Sequence, residues 1–334
     1  MVRTLRYILV FLFMLGIGFA TLWGTMALWF RLPAPDVVRM AACGAFALFG
    51  LAVLLAQFGA RRVGALGLFV PVFAALLIWW NTITPPADRN WAPDVARQVT
   101  GQFDGDVLTL TNLREFSWRS NDDFDPTWTT RNYDMTQLQS VDMFLSYWAG
   151  PEIAHFIVSF GFADDQHLAW SVEVRREIGG GFSPIADFFK TNTLVIVAAA
   201  EQDVVGVRSN VRGEDVQLFR LRTAPETAEA LLREYVRDAN ALAAQPQFYN
   251  SLFTNCTTVV LKMMTAIGNG LPLDWRLVAN GYLPDYAYDH GSLDTRLTLD
   301  ELRDLGRIAP RAKVAGLNPT YSAAIRKGVP VPQK

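Results

Sequence analysis

Residues 153–175, IAHFIVSFGFADDQHLAWSVEVR, carry the alternating pattern of a β-hairpin. Large apolar side chains recur at every second position on both sides of residues 163–167, whose Asp, Gln and His side chains are typical of a turn. A register that keeps the apolar residues on one face places His155 opposite Glu173 or Arg175 on the less apolar face. A neighbouring carboxylate fixes the tautomer of a histidine and stabilises its imidazolium. The stretch therefore predicts a His–acid pair on two strands, with a purely structural histidine as the alternative.

The chain beyond the hairpin contains further short β-branched runs and longer amphipathic segments. The predicted strands are residues 107–113, 153–162, 168–174, 193–199 and 216–221. The predicted helices are residues 138–148, 225–244, 256–267 and 299–305. Residues 225–244 begin with Pro-Glu and are rich in Ala, Leu, Arg and Glu, as expected for a helix. Because strands and helices do not alternate regularly, the sequence predicts an α+β domain.

The amino-terminal part of the chain has the composition of a membrane anchor. Of 334 residues, 51% are hydrophobic and only 19% are charged, and apolar runs concentrate at residues 7–30, 37–58 and 63–80. About 20 apolar residues suffice for a helix to cross the hydrocarbon core, and a cleaved signal peptide would not explain the second and third runs. We predict a three-helix membrane anchor at residues 1–82, a linker at 83–99 and an outer domain at 100–334.

The basic residues around these runs predict their orientation. Arg3 and Arg6 precede the first run, and Arg61 and Arg62 separate the second from the third. The positive-inside rule places both pairs in the cytoplasm, so the amino terminus is cytoplasmic and the carboxyl-terminal domain lies outside. After residue 90 the chain has 23 basic and 30 acidic side chains. Such an acidic domain gives no support to nucleic-acid binding, which uses a basic surface.

A lone cysteine marks the second candidate element of a site. In residues 248–260, FYNSLFTNCTTVV, a loop passes into an apolar helical run. Asn255 is a suitable N-cap, which places Cys256 in the first helical turn, where the helix dipole favours a thiolate. Asn255 and Asn250 are candidates for the cap and for oxyanion stabilisation. The alternative is a buried structural thiol, which is also our interpretation of Cys43 in the second apolar run.

Several short motifs occur together in an order that resembles one known family. They are IAH at 153–155, SFGF at 159–162, SVEVRRE at 171–177, FYN at 248–250, NCTT at 255–258 and GYLPD at 281–285. In this combination, residues 100–325 resemble the Lnb amino-terminal periplasmic domain family. That family is similar to circularly permuted NlpC-type, papain-like thiol enzymes, in which the His strand precedes the Cys helix. The resemblance implies a papain-like α+β domain that follows three transmembrane helices.

The resemblance also implies an activity, which is lipoprotein N-acylation with a phospholipid acyl donor. Cys256 would be the nucleophile that forms an acyl thioester and His155 the base, while the hairpin argument makes Glu173 the residue that orients His155. Arg175 and Arg176 are candidates for contacts with a lipid phosphate.

The expected setting is the bacterial inner membrane, with the domain in the periplasm. Membrane lipids are the expected partners, together with lipoproteins, and the oligomeric state is left open. No cofactor is expected, and no metal, because the sequence lacks a Cys/His cluster with metal spacing. Two alternatives remain: a cell-wall thiol peptidase or amidase with the same Cys and His, and a non-catalytic membrane-anchored binding domain. An apolar slot beside Cys256 would favour acyl transfer, whereas a polar groove would favour peptide cleavage.

Overall fold

The computed structural model describes residues 2–163, 165–270 and 272–333. The chain divides into two compact units. The first contains Met1–Pro86 together with Ser183–Thr191, and the second contains Ala87–Phe182 and Asn192–Lys334. Each unit is described separately below.

The first unit is built on three long apolar helices, α1 (Val2–Arg31), α2 (Asp36–Ala56) and α3 (Arg62–Thr82). All three are long and apolar enough to cross a membrane, as the sequence predicts. The unit also contains α4 (Pro184–Phe188).

The segment that carries α4 packs on the anchor helices through aromatic side chains. The ring of Phe189 lies 5.5 Å from that of Phe30 and 6.1 Å from that of Trp80. Next to it, Lys190 Nζ donates a hydrogen bond to the carbonyl oxygen of Trp80 at 2.8 Å. Because Phe30 and Trp80 lie near the carboxyl ends of α1 and α3, Ser183–Thr191 lies at that end of the anchor.

The second unit is organised around an eight-stranded sheet. Its strands run in the order β1-β2-β9-β8-β7-β6-β10, with β5 paired to β2, and β3 and β4 form a separate two-stranded ladder. All pairs in the large sheet are antiparallel except β2 with β9. The strands are β1 (Thr100–Asp104), β2 (Val107–Arg114), β3 (Ser117–Trp118), β4 (Phe124–Asp125), β5 (Trp128–Asp134), β6 (Leu138–Tyr147), β7 (Ala154–Phe162), β8 (His167–Arg175), β9 (Thr193–Ala199) and β10 (Asp215–Arg220).

Helices cover both faces of this sheet. They are α5 (Glu201–Val204), α6 (Pro225–Ala244), α7 (Cys256–Ala266), α8 (Leu283–Asp289), α9 (Leu299–Gly306), α10 (Ala309–Ala315) and α11 (Tyr321–Ile325). On one face, Val158 and Trp170 pack with Tyr235 of α6 and Met263 of α7. The core on the other face includes Ile157 and residues of α10 and α11. The domain is therefore of mixed α+β type, as predicted.

The predicted hairpin is present with a definite register. β7 and β8 are antiparallel, with Val158 opposite Trp170 and Ile157 opposite Ser171, a register that sets His155 opposite Glu173. Of the two predicted partners of His155, the structure thus selects Glu173. Position 164 of the predicted turn lies outside the described residues.

The predicted helix at residues 138–148 is wrong, because this segment forms strand β6. β6 lies between β7 and β10, where both of its faces are buried: Met143 and Leu145 contribute to one core and Phe144 to the other. A strand buried on both sides does not alternate between apolar and polar residues. Its apolar run therefore cannot be distinguished from that of a buried helix by periodicity alone. β1, β3, β4 and β5 were not predicted from the sequence.

Candidate Cys–His site

Cys256 is the first residue of α7, and a capping box precedes it. Asn255 Oδ1 accepts hydrogen bonds from the backbone N–H groups of Thr257 and Thr258, both at 3.0 Å. In return, Thr258 Oγ1 accepts one from the Asn255 N–H at 2.9 Å. The predicted N-cap is therefore confirmed, and it holds Cys256, which is only 7% exposed, in the first turn of the helix.

His155 lies near the start of β7 and bonds to two residues of β8. Its Nε2 is 2.7 Å from Ser171 Oγ and 3.1 Å from Glu173 Oε1. Ser171 Oγ donates to Glu173 Oε1 at 2.7 Å, so the hydroxyl oxygen is an acceptor for an imidazole N–H. This arrangement assigns a proton to Nε2. His155 is also hydrogen-bonded to Cys256.

The surroundings of Cys256 favour its thiolate. Burial raises the pKa of the thiol, but the hydrogen bond and charge of His155 outweigh it and lower the pKa below the ordinary value. The backbone N–H of Phe156 and the hydroxyl of Thr257 also lower the pKa by hydrogen bonding to the sulfur. A thiol with a depressed pKa beside a histidine is the usual form of a reactive cysteine.

The imidazolium of His155 is stabilised in turn. Burial and the charge of Arg208 lower the pKa of His155, yet the negative charge of Glu173 and the hydrogen bonds of Cys256 and Glu173 prevail and raise it. Both shifts favour transfer of the thiol proton to the imidazole, that is, a thiolate–imidazolium pair.

Glu173 remains ionised because two cations outweigh the effect of burial. Burial alone would raise its pKa, whereas His155 and Arg208 hold it well below the usual value. Arg208 Nη2 donates to Glu173 Oε1 at 3.0 Å, and Arg208 Nη1 lies 3.4 Å from Glu214 Oε2. Glu214 also accepts a hydrogen bond from the hydroxyl of Ser146. The site is thus a continuous hydrogen-bonded line that ends on a buried arginine and a second carboxylate.

Asn280 joins the two elements that carry Cys256 and His155. Its Oδ1 accepts from the backbone N–H of Ala154 at 2.9 Å, and its Nδ2 donates to the Ala154 carbonyl at 2.7 Å. The same Nδ2 lies 2.9 Å from Thr257 Oγ1 and 3.8 Å from Cys256 Sγ. Sequence reasoning missed this residue, although it directly precedes the motif at residues 281–285.

The segment that supplies these residues matches a known family. Residues 124–281 match the Lnb N-terminal periplasmic domain. The family resemblance predicted from the sequence is thereby confirmed, and the matched interval includes His155, Glu173, Cys256 and Asn280. No curated protein and no solved structure matches the chain. With its three candidate membrane-spanning helices, the chain is a membrane protein with a periplasmic domain.

Two other predicted residues of the Lnb-type domain have local structural partners. Asn250 Oδ1 accepts from the N–H groups of Leu252 and Phe253, at 3.0 and 3.1 Å, and so shapes the loop before α7. Asn255 Nδ2 donates to the carbonyl of Ser251 in the same loop at 2.8 Å. Both amides hold the loop that leads to Cys256, and their role at an oxyanion stays a prediction.

The arginines predicted to contact a lipid phosphate are engaged with protein groups. Arg175 donates to the carbonyl of Val95 at 3.1 Å and stacks over the ring of Trp91 at 4.6 Å. Arg176 forms an ion pair with Asp94 at 2.9 Å. Both therefore tie β8 and the residues after it to the start of the domain, and a phosphate contact stays a prediction.

A cleft of about 860 Å³ opens beside the hydrogen-bonded line, where Glu214 and Gly281 form part of its wall. Its lining is mixed, with charged and aromatic side chains that include Arg212, Asp215, Arg303, Arg307, Tyr147, Trp148 and Tyr282. Across the described part of the chain, no group of three or more His, Cys, Asp or Glu side chains is arranged to hold a metal.

Proposed function

We propose that the protein is a membrane-anchored thiol acyltransferase that N-acylates lipoproteins with a phospholipid acyl chain. The observation that carries this proposal is the buried line from Cys256 through His155 to Glu173, in which the thiol pKa is lowered. A non-catalytic binding domain has no need of a thiolate–imidazolium pair. The order of the His strand before the Cys helix further supports a papain-like, circularly permuted arrangement.

The first step would load the acyl chain onto the enzyme. The Cys256 thiolate attacks the ester carbonyl of a phospholipid, so that a C–S bond forms and the ester C–O bond breaks. His155, which holds the proton as imidazolium, gives it to the departing alkoxide, and a lysophospholipid leaves. Glu173 keeps the imidazole ring in position through Nε2 throughout.

The second step would transfer the chain to an amine. The α-amino group of a lipoprotein's first cysteine attacks the thioester, an amide C–N bond forms and the C–S bond breaks. Neutral His155 accepts the proton that the amine loses, and the thiolate–imidazolium pair is restored. Because a thioester is more reactive than an amide, this transfer needs no further energy source.

A second candidate function, cleavage of cell-wall peptides by the same Cys and His, is favoured by the charged side chains in the mixed lining of the cleft. The cleft beside Glu214 has acidic and basic side chains suited to a peptide. In that case water would attack the thioester, and the product would be a free carboxylate. The lining of the cleft, however, does not include Cys256, so we give acyl transfer the first place.

We place the protein in the bacterial inner membrane with its amino terminus in the cytoplasm. The support is the three candidate spans, the periplasmic family that the domain matches, and the basic residues Arg61 and Arg62, which lie just before α3 and at its first position. A reporter fused after Lys334 that is active only in the periplasm would test this topology.

The deciding experiment is mass spectrometry of lipoprotein amino termini in cells that lack the gene and are complemented with variants. The intact chain and a Cys43→Ala control should give N-acylated termini, whereas Cys256→Ala should leave a free amine. Acylation that persists with Cys256→Ala would refute the proposal. Unchanged lipoproteins with altered wall peptides would instead support the second candidate.

A further inference from the structure

Large apolar side chains are exposed in the loops around the Cys–His site. We define an apolar rim that consists of Trp148, Phe182, Leu252, Phe253 and Trp275, all of which are exposed. Phe253 is 73% and Trp275 is 63% exposed, which is unusual for side chains of this size in a folded domain. The rim belongs to the second unit alone.

Three members of the apolar rim, Trp148, Phe182 and Trp275, make aromatic contacts. The ring of Trp148 lies 6.0 Å from that of Phe182, which lies 6.2 Å from that of Tyr249, in the loop that holds Leu252 and Phe253. On the other side, Trp148 and Tyr282 line the same cleft, and the Tyr282 ring lies 5.1 Å from that of Trp275. The rim residues therefore lie on neighbouring loops and along the margin of one cleft.

The rim follows the elements that hold the reactive groups. Leu252 and Phe253 shortly precede Cys256, Trp148 lies in the connection before His155, and Trp275 shortly precedes Asn280. Residues 249–254, YNSLFT, contain no charged side chain, so burying this tip in an apolar medium carries no cost for an ion.

The place of Phe182 in the sequence connects the apolar rim to the membrane anchor. Phe182 is joined by a single peptide bond to Ser183, where the segment that packs on the anchor begins. That segment lies at the carboxyl ends of α1 and α3, where its Phe189 contacts Trp80. A rim residue is thus only about 4 Å along the chain from a segment held at the end of two membrane spans.

We propose that the apolar rim inserts into the periplasmic leaflet of the membrane that α1–α3 cross. Trp and Tyr side chains prefer the boundary between headgroups and acyl chains, and an uncharged Leu-Phe tip can enter the acyl region. Insertion would bring the loops around Cys256 to the depth at which lipid esters lie. Binding of the rim to lipid is independent of the chemistry, while its use in acyl transfer rests on the proposed function.

The test measures the lipid contact directly on the full chain in lipid nanodiscs. In a Cys43→Ala, Cys256→Ser background, a single cysteine is placed at Phe253, at Trp275 or at Val314 and labelled with an NBD fluorophore. Val314 is the matched control, because it is 90% exposed and belongs to α10, on the opposite face of the sheet from α7. Phosphatidylcholine with a nitroxide on its acyl chain is the quencher.

We expect the labels at positions 253 and 275 to be quenched at least threefold more than the label at position 314. Equal quenching at all three positions would overturn the proposal. A blue-shifted but unquenched label at position 253 would also overturn it, in favour of a protein partner or a second copy. Because the labelled protein carries Cys256→Ser, it has no nucleophile, and quenching reports lipid contact alone. A negative result would therefore refute the insertion of the rim without bearing on the proposed reaction.

A double variant links the rim to the reaction. Leu252→Ser with Phe253→Ser should lower N-acylation of lipoproteins at least fivefold but leave the rate of Cys256 alkylation by iodoacetamide unchanged. Full acylation by this variant would contradict a role of the rim in lipid access. The alkylation rate shows whether the site is still folded, so a collapsed site cannot be mistaken for a lost lipid contact.

Discussion

Replacing Glu173 with Gln removes one negative charge from the site and almost no volume. The carboxylate lies 3.1 Å from His155 Nε2 and 3.0 Å from Arg208 Nη2, and its charge is a main cause of the raised pKa of His155. A hydrogen bond to a charged group contributes about 1.5–3 kcal/mol, and about 1.4 kcal/mol corresponds to one pKa unit. We therefore expect the His155 pKa to fall and the Cys256 pKa to rise with it.

The assay is the pH dependence of Cys256 alkylation by iodoacetamide, read by mass spectrometry of the Cys256 peptide from the intact chain. Between the lowered thiol pKa and the ordinary one, near 8.5, the alkylation rate of Glu173→Gln should be about 10–100 times lower than that of the unchanged chain. The matched control is Glu177→Gln, which removes the same charge from an exposed side chain. An unchanged pH profile for Glu173→Gln would refute the thiolate–imidazolium pair.

Three further predictions concern stability, measured by thermal or chemical denaturation of the purified chain. Asn280→Ala leaves the buried backbone N–H and C=O of Ala154 without their side-chain partners and should lower the free energy of unfolding by about 2–4 kcal/mol. It should also reduce the reactivity of Cys256, which an equally destabilising substitution far from the site would not do. Gly281→Ala should cost at least about 2 kcal/mol, because an added Cβ would lie 2.0 Å from the carbonyl oxygen of Pro151, whereas Gly181→Ala meets no atom within 4 Å and should have little effect. The pKa of Glu201 is lowered to about 2, because the charge of its partner Arg326 outweighs burial. The ionised carboxylate therefore stabilises the fold by about 3 kcal/mol above pH 4.5, and this stabilisation is lost as the pH falls toward 2. Glu201→Gln should remove this dependence of stability on pH.

Local sequence features predicted the parts of the fold whose pattern reflects one buried face. The helix at residues 225–244 was predicted with its observed bounds, because α6 has one buried side and begins with Pro at its first position. The N-cap at Asn255 was also predicted, since a cap acts within four residues, whereas the reciprocal bond from Thr258 was found only in the structure. By contrast, β6 was mistaken for a helix because burial on both faces removed its alternation.

The candidate site was predictable only in part. His155 and Glu173 could be paired because hairpin register follows from the apolar pattern of two adjacent strands. Asn280 could not be found in this way, because its amide joins Ala154, 126 residues earlier in the chain, to the first turn of α7. Nor does local sequence show that Arg208 forms ion pairs with both Glu173 and Glu214, because Glu173 lies on β8, 35 residues earlier.

The sequence by itself determined the three apolar spans, the mixed α+β character of the domain and the residues able to supply a thiolate and an imidazole. These properties follow from composition and short-range periodicity, which act between neighbours in the chain. Only the tertiary structure decided that Cys256 meets His155, that Glu173 stays ionised between two cations and that Asn280 holds both elements together. Such contacts join residues that are far apart in the chain, and burial gives them their strength, because charges and hydrogen bonds removed from water interact more strongly.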